Sequence, residues 1–415
     1  MKAIVLAGGY PQISLIKELK KRDYEVILID WNDYPVARDY ADYFYKESTL
    51  DVAKVEEIAV KEKVSLILTV CTDQALLTMT YISEKLNLPC YLSYETACRI
   101  TDKEQMKAVF EQKHILTAKQ ICIDEWDSLT DDDFPMIVKP CDCNSSKGVK
   151  KVCDKAALKQ AAFEAKAASR RGVLIAEKYI DGIELTVDAY VENKKAIIMT
   201  VSVNEKLEEA EGFVNFRTVN SGAINDDVAK EVASVAQQIA DAFELSDTPL
   251  LFQAIYDGDR IYVIECSARS GGGAKIALLK EMAGFDVAEN IVDLTLGSAD
   301  KICVKPRDTR YFVNDYLYCR PGVLESVEGL ERAKEENIIV DYYLYKKKGT
   351  VFDKITTCGD RVAGFSIAAD SIEELNRKQK AVNSCIRVFD VNGVDILRHD
   401  LLTDVDVSKW QIMNE

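Results

Sequence analysis

Apolar and polar positions alternate along this chain with two distinct periods, and the switches between them mark out its elements. At the start, KAIVLAG (2–8) is an unbroken apolar run, followed by a helix-period stretch over 13–21 and a second apolar run over 25–30. A helical pattern at 52–62, an apolar run at 65–70, a helix at 73–86 and a short strand at 90–92 continue the series. Continuous apolar strands alternating with amphipathic helices predict a doubly wound parallel sheet, because such strands are covered on both faces. From Thr101 the pattern TDKEQMKAVFEQK reads as a helix, with Thr101 as N-cap and Glu104 completing a capping box. The acidic loop at Asp131, Asp132 and Asp133 leads into the strand FPMIVKP (134–140); an alanine-rich helix covers 156–169, and GVLIAEKYI (172–180) is another strand. ELTVDAYV and KAIIMTVSV, joined through Glu192, Asn193 and Lys194, form a hairpin. Helices are expected at 228–243 and 276–296. After about 304, RYFVNDYLYC, DYYLYK and RVAGFSIAA alternate with the helix IEELNRKQKAVNSCI, as in a small α+β unit.

These elements divide the chain into residues 1–95, an α/β domain; 96–304, a larger central domain with a lid subdomain at 115–195; and 305–415, a C-terminal α+β domain. The fold class is α/β and α+β multidomain, which suits 415 residues, too many for one core. Hydrophobic residues at 48% and charged residues at 29% describe a globular protein. The net charge of −16 disfavours nucleic acid and anionic membrane surfaces as partners. No apolar run approaches the ~20 residues that span a bilayer. Twelve scattered cysteines contain no C-x-x-C pair, and with only His114 and His399 available, zinc binding and histidine-based catalysis are both disfavoured. A reducing, cytoplasmic location is expected. Gly8-Gly9 after the first strand and Asp30 after the second resemble parts of a dinucleotide site, but G-x-G-x-x-G is absent.

The chemistry concentrates in 250–273, LLFQAIYDGDRIYVIECSARSGGG. An Asp257-Gly258 turn joins two apolar runs, one carrying Gln253 and the other ending in Glu265. Glu265, Ser267 and Arg269 then alternate along extended chain, so their side chains leave one face. Oxygens for a hard cation beside a guanidinium suit a magnesium–polyphosphate complex. Upstream, Lys139 ends a strand before the small polar loop Asn144-Ser145-Ser146-Lys147-Gly148, which could wrap phosphate oxygens without being a Walker A loop. Glu177, Lys178, Tyr179 and Ile180 end another strand, with Glu184 following. Lys103 stands beside Asp102 at a helix start.

In this order, D-K, V-K-P with its loop, E-x-x-I-x-G-x-E and Q…E-x-S-x-R-x-G-G-G, the chain resembles the ATP-grasp superfamily over about residues 1–300, in its amino-acid ligase and carbamoyl-phosphate-synthase-like branch. The tail from about 305 resembles, more weakly, the C-terminal domain of amino-acid ligases. The resemblance implies an ATP-grasp fold with an N-terminal pre-ATP-grasp domain, and an ADP-forming C–N ligase working through an acyl phosphate. Its substrates would be a small-molecule carboxylate, such as an amino acid, and an amine; a homodimer is compatible with it. Its cofactors would be ATP and Mg2+, or Mn2+ in its place. Lys103, Lys139, Ser145, Ser146, Lys147 and Gly148 would meet the phosphates, Glu177, Lys178, Tyr179 and Ile180 the adenine, and Glu184 the ribose. Gln253, Glu265 and Ser267 would hold metal, and Arg269 with Lys139 would be catalytic. A kinase or carbamoyl-phosphate-like enzyme releasing a phosphorylated product, or a nucleotide-binding regulator, is the alternative. Two departures stand out: Ser267 replaces the usual Asn, and the 141–148 loop holds a single glycine. The SGGGAK segment after Arg269 disfavours biotin carboxylase, which has a Glu-His-containing sequence there.

Overall fold

A computed structural model describes residues 1–122, 128–143, 147–207, 213–221, 224–305, 308 and 310–410. The N-terminal run folds as the apolar pattern requires. Strands β1 (Lys2–Leu6), β2 (Glu25–Asp30), β3 (Tyr43–Lys46) and β4 (Leu66–Leu68) pair in the order β3-β2-β1-β4, all parallel. Helices α1 (Tyr10–Lys21), α2 (Val52–Glu62) and α3 (Asp73–Lys85) connect or follow them. β1 and β2 are buried along nearly their whole length. Asp30 is spent on the first turn, where its Oδ2 accepts the Gly8 N–H at 2.6 Å.

Two expectations fail next. Residues 90–92 form no strand; instead Ser93 accepts the Thr96 N–H at 3.1 Å and opens α4 (Tyr94–Thr101). Thr101 therefore ends a helix, and Asp102 caps α5 (Lys103–Gln112), accepting the Glu104 and Gln105 N–H groups at 3.0 and 3.1 Å. An Asp at the N-cap out-competes the neighbouring Thr, consistent with its stronger capping.

A small three-stranded sheet, β6-β5-β7, follows, built from β5 (Met136–Pro140), β6 (Lys150–Val152) and β7 (Leu174–Lys178) and covered by α6 (Lys155–Ala168). It has its own apolar cluster, including Met136, Val138, Leu158, Ala161 and Ala165. The large sheet takes β8 (Ile183–Glu192), β9 (Lys195–Lys206), β10 (Asn215–Ser221), β11 (Thr248–Tyr256) and β12 (Ile261–Ser267), backed by α7 (Asp226–Ala242). The helix expected over 276–296 is two, α8 (Lys275–Ala283) and α9 (Val287–Thr295). Gly284, at φ +67°, takes the left-handed conformation that closes α8, and Asp286 caps α9.

The remaining elements are β13 (Tyr311–Leu317), β14 (Gly322–Glu328), α10 (Leu330–Glu335), β15 (Asp341–Leu344), β16 (Val351–Phe352), β17 (Ala363–Ala369), α11 (Ile372–Cys385) and β18 (Arg387–Asp390). Of these, β13, β17 and β15 extend the large sheet, giving the order β12-β11-β8-β9-β10-β13-β17-β15. The seam between β10 and β13 is held by buried Arg217, whose Nε donates to Asp315 at 2.7 Å, while Gln379 of α11 donates to the other Asp315 oxygen at 2.8 Å. Among the described residues, no helix is long and apolar enough to cross a membrane.

Candidate active site

The large sheet, the small sheet and the N-terminal unit enclose one cavity of ≈ 680 Å3. This volume lies within the ~300–1,000 Å3 typical of ligand sites. Lys103, Lys139, Glu177, Lys178, Tyr179, Ile180, Glu184, Gln253, Glu265 and Arg269, all singled out by the sequence, line it together. Ser267 lies in an adjoining recess with Gln253, Glu265 and Arg269. Lys147 is exposed, and Gly148 sits at φ +73° against Pro140. Ser145 and Ser146 lie outside the described residues.

Strand register places the oxygens. Gln253 on β11 is the direct partner of Glu265 on β12, and the ladder shifts immediately after them. A local irregularity of this kind re-aims side chains at sites. Lys103 at the start of α5 lies 3.1 Å from Glu265. Burial alone would raise the Glu265 pKa, but Lys103 overrides it and leaves the carboxyl below its ordinary value. Lys103 also donates to the Cys143 carbonyl at 3.1 Å, joining the helix to the loop after β5.

Glu177 points inward from β7 between two lysines, 2.6 Å from Lys107 and 2.5 Å from Lys139. Burial opposes its charge, but the lysines bring its pKa down to about 2. Lys107 went unnoticed in the sequence. It is one turn beyond Lys103 on α5, which puts both on one face. Burial pulls its pKa down to about 8 against the opposing pull of Glu177. Lys178 points away from this cluster, donating to the Asp132 and Phe134 carbonyls, and the Tyr179 N–H donates to the Pro135 carbonyl. Glu184 on β8 accepts from Asn204 at 3.0 Å and pairs with Lys206, both on β9.

Arg269 is engaged by a residue the sequence did not single out. Its Nε and Nη2 each donate to Asp73 at 2.5 Å, a fork-to-fork pair. The Ser267 hydroxyl donates to the same carboxylate at 2.6 Å. Burial would lower the Arg269 pKa, yet Asp73 leaves it raised. Beyond Arg269 the chain curls back over β8: Asp188 accepts the Gly271 N–H at 2.6 Å and pairs with Lys275 at 2.9 Å. A Cβ at Gly271 would lie 2.5 Å from Lys275 Cδ and 2.9 Å from Asp188 Oδ1, so any side chain there would have to displace the Lys275–Asp188 pair. The pattern SGGGAK held a clue to this, since three glycines beside a lysine mark close backbone approach.

Comparison with known proteins adds two domains. Residues 132–277 match the ATP-grasp domain, and residues 315–389 match the L-amino acid ligase C-terminal domain 2. The carbamoyl phosphate synthase large chain of Clostridium acetobutylicum is 22% identical over 286 residues, 67% of this chain and 26% of that one. The chain thus spans about a quarter of that relative. Phosphoribosylamine–glycine ligase of Methanobrevibacter smithii is 26% identical over 364 residues, 80% of this chain and 81% of that one. The crystal structure of an L-amino acid ligase from Bacillus licheniformis superposes with a TM-score of 0.77 at 16% identity, over 94% of this chain and 98% of that one, a likeness of fold.

Proposed function

The chain belongs to the ATP-grasp superfamily, and from that premise we propose that it is an ADP-forming ligase joining a carboxylate to an amine through an acyl phosphate. The observation that carries this reading is the placement of Gln253 directly opposite Glu265 beside Lys103, with Lys139 and Arg269 on the same cavity. The residues present fit a nucleotide with its metal. Among the described residues no group of three or more His, Cys, Asp or Glu could hold a metal alone. Gln253 and Glu265 would therefore share Mg2+ with phosphate oxygens and water, as Mg2+ commonly requires. Lys103 and Lys139 would hold phosphate oxygens, the 179–180 segment would face adenine, and Glu184 the ribose.

Magnesium-bound ATP supplies the phosphoryl group; the chain supplies position and charge. Asp73 clamps Arg269 flat, so the guanidinium keeps one orientation as charge develops on the transferred group. Ser267, where the family has Asn, acts through Asp73 by holding that carboxylate in register. Lys103 and Lys139 bring positive charge to the cavity wall, and Glu177 keeps Lys139 and the buried Lys107 from repelling each other. The amine attacks the acyl carbon, the C–O bond to phosphate breaks, and inorganic phosphate leaves. No histidine base is called for, because an uncharged amine can attack directly and the departing phosphate takes up the proton it loses.

A screen of acid and amine pairs with ATP and Mg2+, following ADP and free phosphate, tests the proposal. Ligation yields equal ADP and phosphate only when both substrates are present. ADP appearing with a phosphorylated acceptor and no free phosphate would instead mean a kinase.

A further inference from the structure

Glu177 meets its two lysines on different oxygens, Lys107 lying 2.6 Å from Oε1 and Lys139 2.5 Å from Oε2. None of the three side chains is more than 6% exposed, yet they differ in what they can reach. Glu177 and Lys139 line the cavity, whereas Lys107 does not. In the β5–β7 ladder Ile137 faces Glu177 and Lys139 faces Ile175, so Lys139 and Glu177 are diagonal neighbours on one face of the small sheet. Lys107 comes from α5, outside that sheet. Its ammonium also donates to the Thr117 hydroxyl, which in turn donates to the Val263 carbonyl of β12 at 2.6 Å. The head of Lys107 is thereby tied to the large sheet.

Two buried ammonium groups thus share one carboxylate, although burying a second cation costs desolvation that a single carboxylate repays only in part. The extra cation has a use when a polyphosphate binds. Lys139 is the lysine of this pair on the cavity wall. When its N–H donors turn to phosphate oxygens, Glu177 loses the positive charge at Oε2 and is left a buried anion beside another. With Lys139 as its one counterion, that carboxylate would be uncompensated, the situation that makes breaking a buried pair from one side so unfavourable. Lys107 covers the charge from Oε1 without moving.

We propose that Lys107 is a positioning residue for ATP, a reserve counterion that keeps Glu177 neutralised and so releases Lys139 to the phosphates. This rests on the nucleotide-binding part of the ligase reading and is independent of which acid and amine are joined. Lys107 touches neither phosphate nor substrate; it acts through Glu177. Removing its charge therefore ties Lys139 to the carboxylate and weakens the grip on phosphate, while contacts to the nucleoside are unaffected.

Calorimetric titration with a non-hydrolysable ATP analogue and Mg2+ reads the effect without turnover. Lys107→Met leaves Glu177 and Lys139 as a one-to-one pair, and the analogue should bind about 10–100-fold more weakly, the worth of a charge-assisted bond. Lys107→Gln, which keeps polar contact with Thr117 and Glu177 but not the charge, should show the same loss. Adenosine, with no phosphate to draw Lys139, should bind both variants within about threefold of wild type. Adding Glu177→Gln to Lys107→Met removes the carboxylate that retains Lys139 and should restore most of the lost affinity, whereas a mere packing defect at position 107 would be worsened by the second change. Unchanged affinity for the analogue in both Lys107 variants, a loss that adenosine shares equally, or a double variant no better than the single one overturns the proposal. The expected pattern with no acid and amine pair releasing ADP and free phosphate would keep the role of Lys107 and sink the ligase reading. Ligation observed without that pattern would sink the role of Lys107 alone.

Discussion

Replacing Glu177 by Gln removes the carboxylate held between two buried lysines while keeping the side chain's shape. Glu177 is 4% exposed and Lys107 also 4%, with contacts of 2.6 and 2.5 Å to Lys107 and Lys139. Breaking a buried pair from one side costs about 3–5 kcal/mol. The titration of Glu177 leads to a similar figure: its pKa falls from 4.5 to about 2, worth roughly 3 kcal/mol at 1.36 kcal/mol per unit. Because the folded pKa is depressed, this stability is present above pH 4.5 and is lost as pH falls towards 2. Lys107 behaves oppositely in charge. Its pKa falls from 10.5 to about 8, so the stability linked to its neutral form is complete above 10.5 and lost as pH falls through 8. At pH 7 Lys107 is therefore charged and tolerable only because Glu177 faces it. Urea unfolding followed by circular dichroism at pH 7 and pH 9 reads both effects. Glu177→Gln should lose about 3–5 kcal/mol at pH 7 and regain more than the wild type does on going to pH 9. Lys107→Met combined with Glu177→Gln should recover part of the loss, a coupling that a double-mutant cycle measures. A Glu177→Gln protein within about 0.5 kcal/mol of wild type, inside the error of distant surface changes, would refute the reasoning.

Arg269→Gln should cut kcat by about 10²-fold or more with the KM for ATP changed only several-fold, as for a group acting on developing charge; near-normal kcat would remove Arg269 from the reaction. Asp73→Asn keeps the arginine but not its fork, so kcat should fall by about tenfold, and an unchanged rate would mean the clamp is idle. Glu265→Gln should raise the Mg2+ concentration for half-maximal activity by at least tenfold, since a neutral oxygen binds a hard cation less well than a carboxylate; an unchanged requirement would place the metal elsewhere. Arg217→Met strips the partner from buried Asp315 at the β10–β13 seam and should cost about 3–5 kcal/mol in urea unfolding, whereas a neutral effect would mean that Asp315 is protonated there.

Local pattern was enough for whatever depends on neighbours in sequence. Short apolar runs such as 3–6 and 26–29, alternating with amphipathic helices, read as strands covered on both faces, so the parallel N-terminal sheet was legible, as was the β11–β12 hairpin from its Asp-Gly turn. Helix ends were less so. Thr101 reads as the cap that Asp102 in fact supplies, and the apolar run through Gly284 hides a break that depends on one residue's φ. The strand partners within 305–415 were not legible either, because a strand's period shows which face is buried but not which strand it joins; β13, β17 and β15 join the central sheet. The site divides in the same way. Gln253, Glu265 and Arg269 sit on one short segment, so spacing brought them together. Asp73 meets Arg269 across 196 residues, and Lys107 reaches Glu177 from another unit. Sequence thus determined which residues could carry charge on a common face. Tertiary structure alone decided which of those charges are paired, because burial and pairing are properties of the whole packed chain.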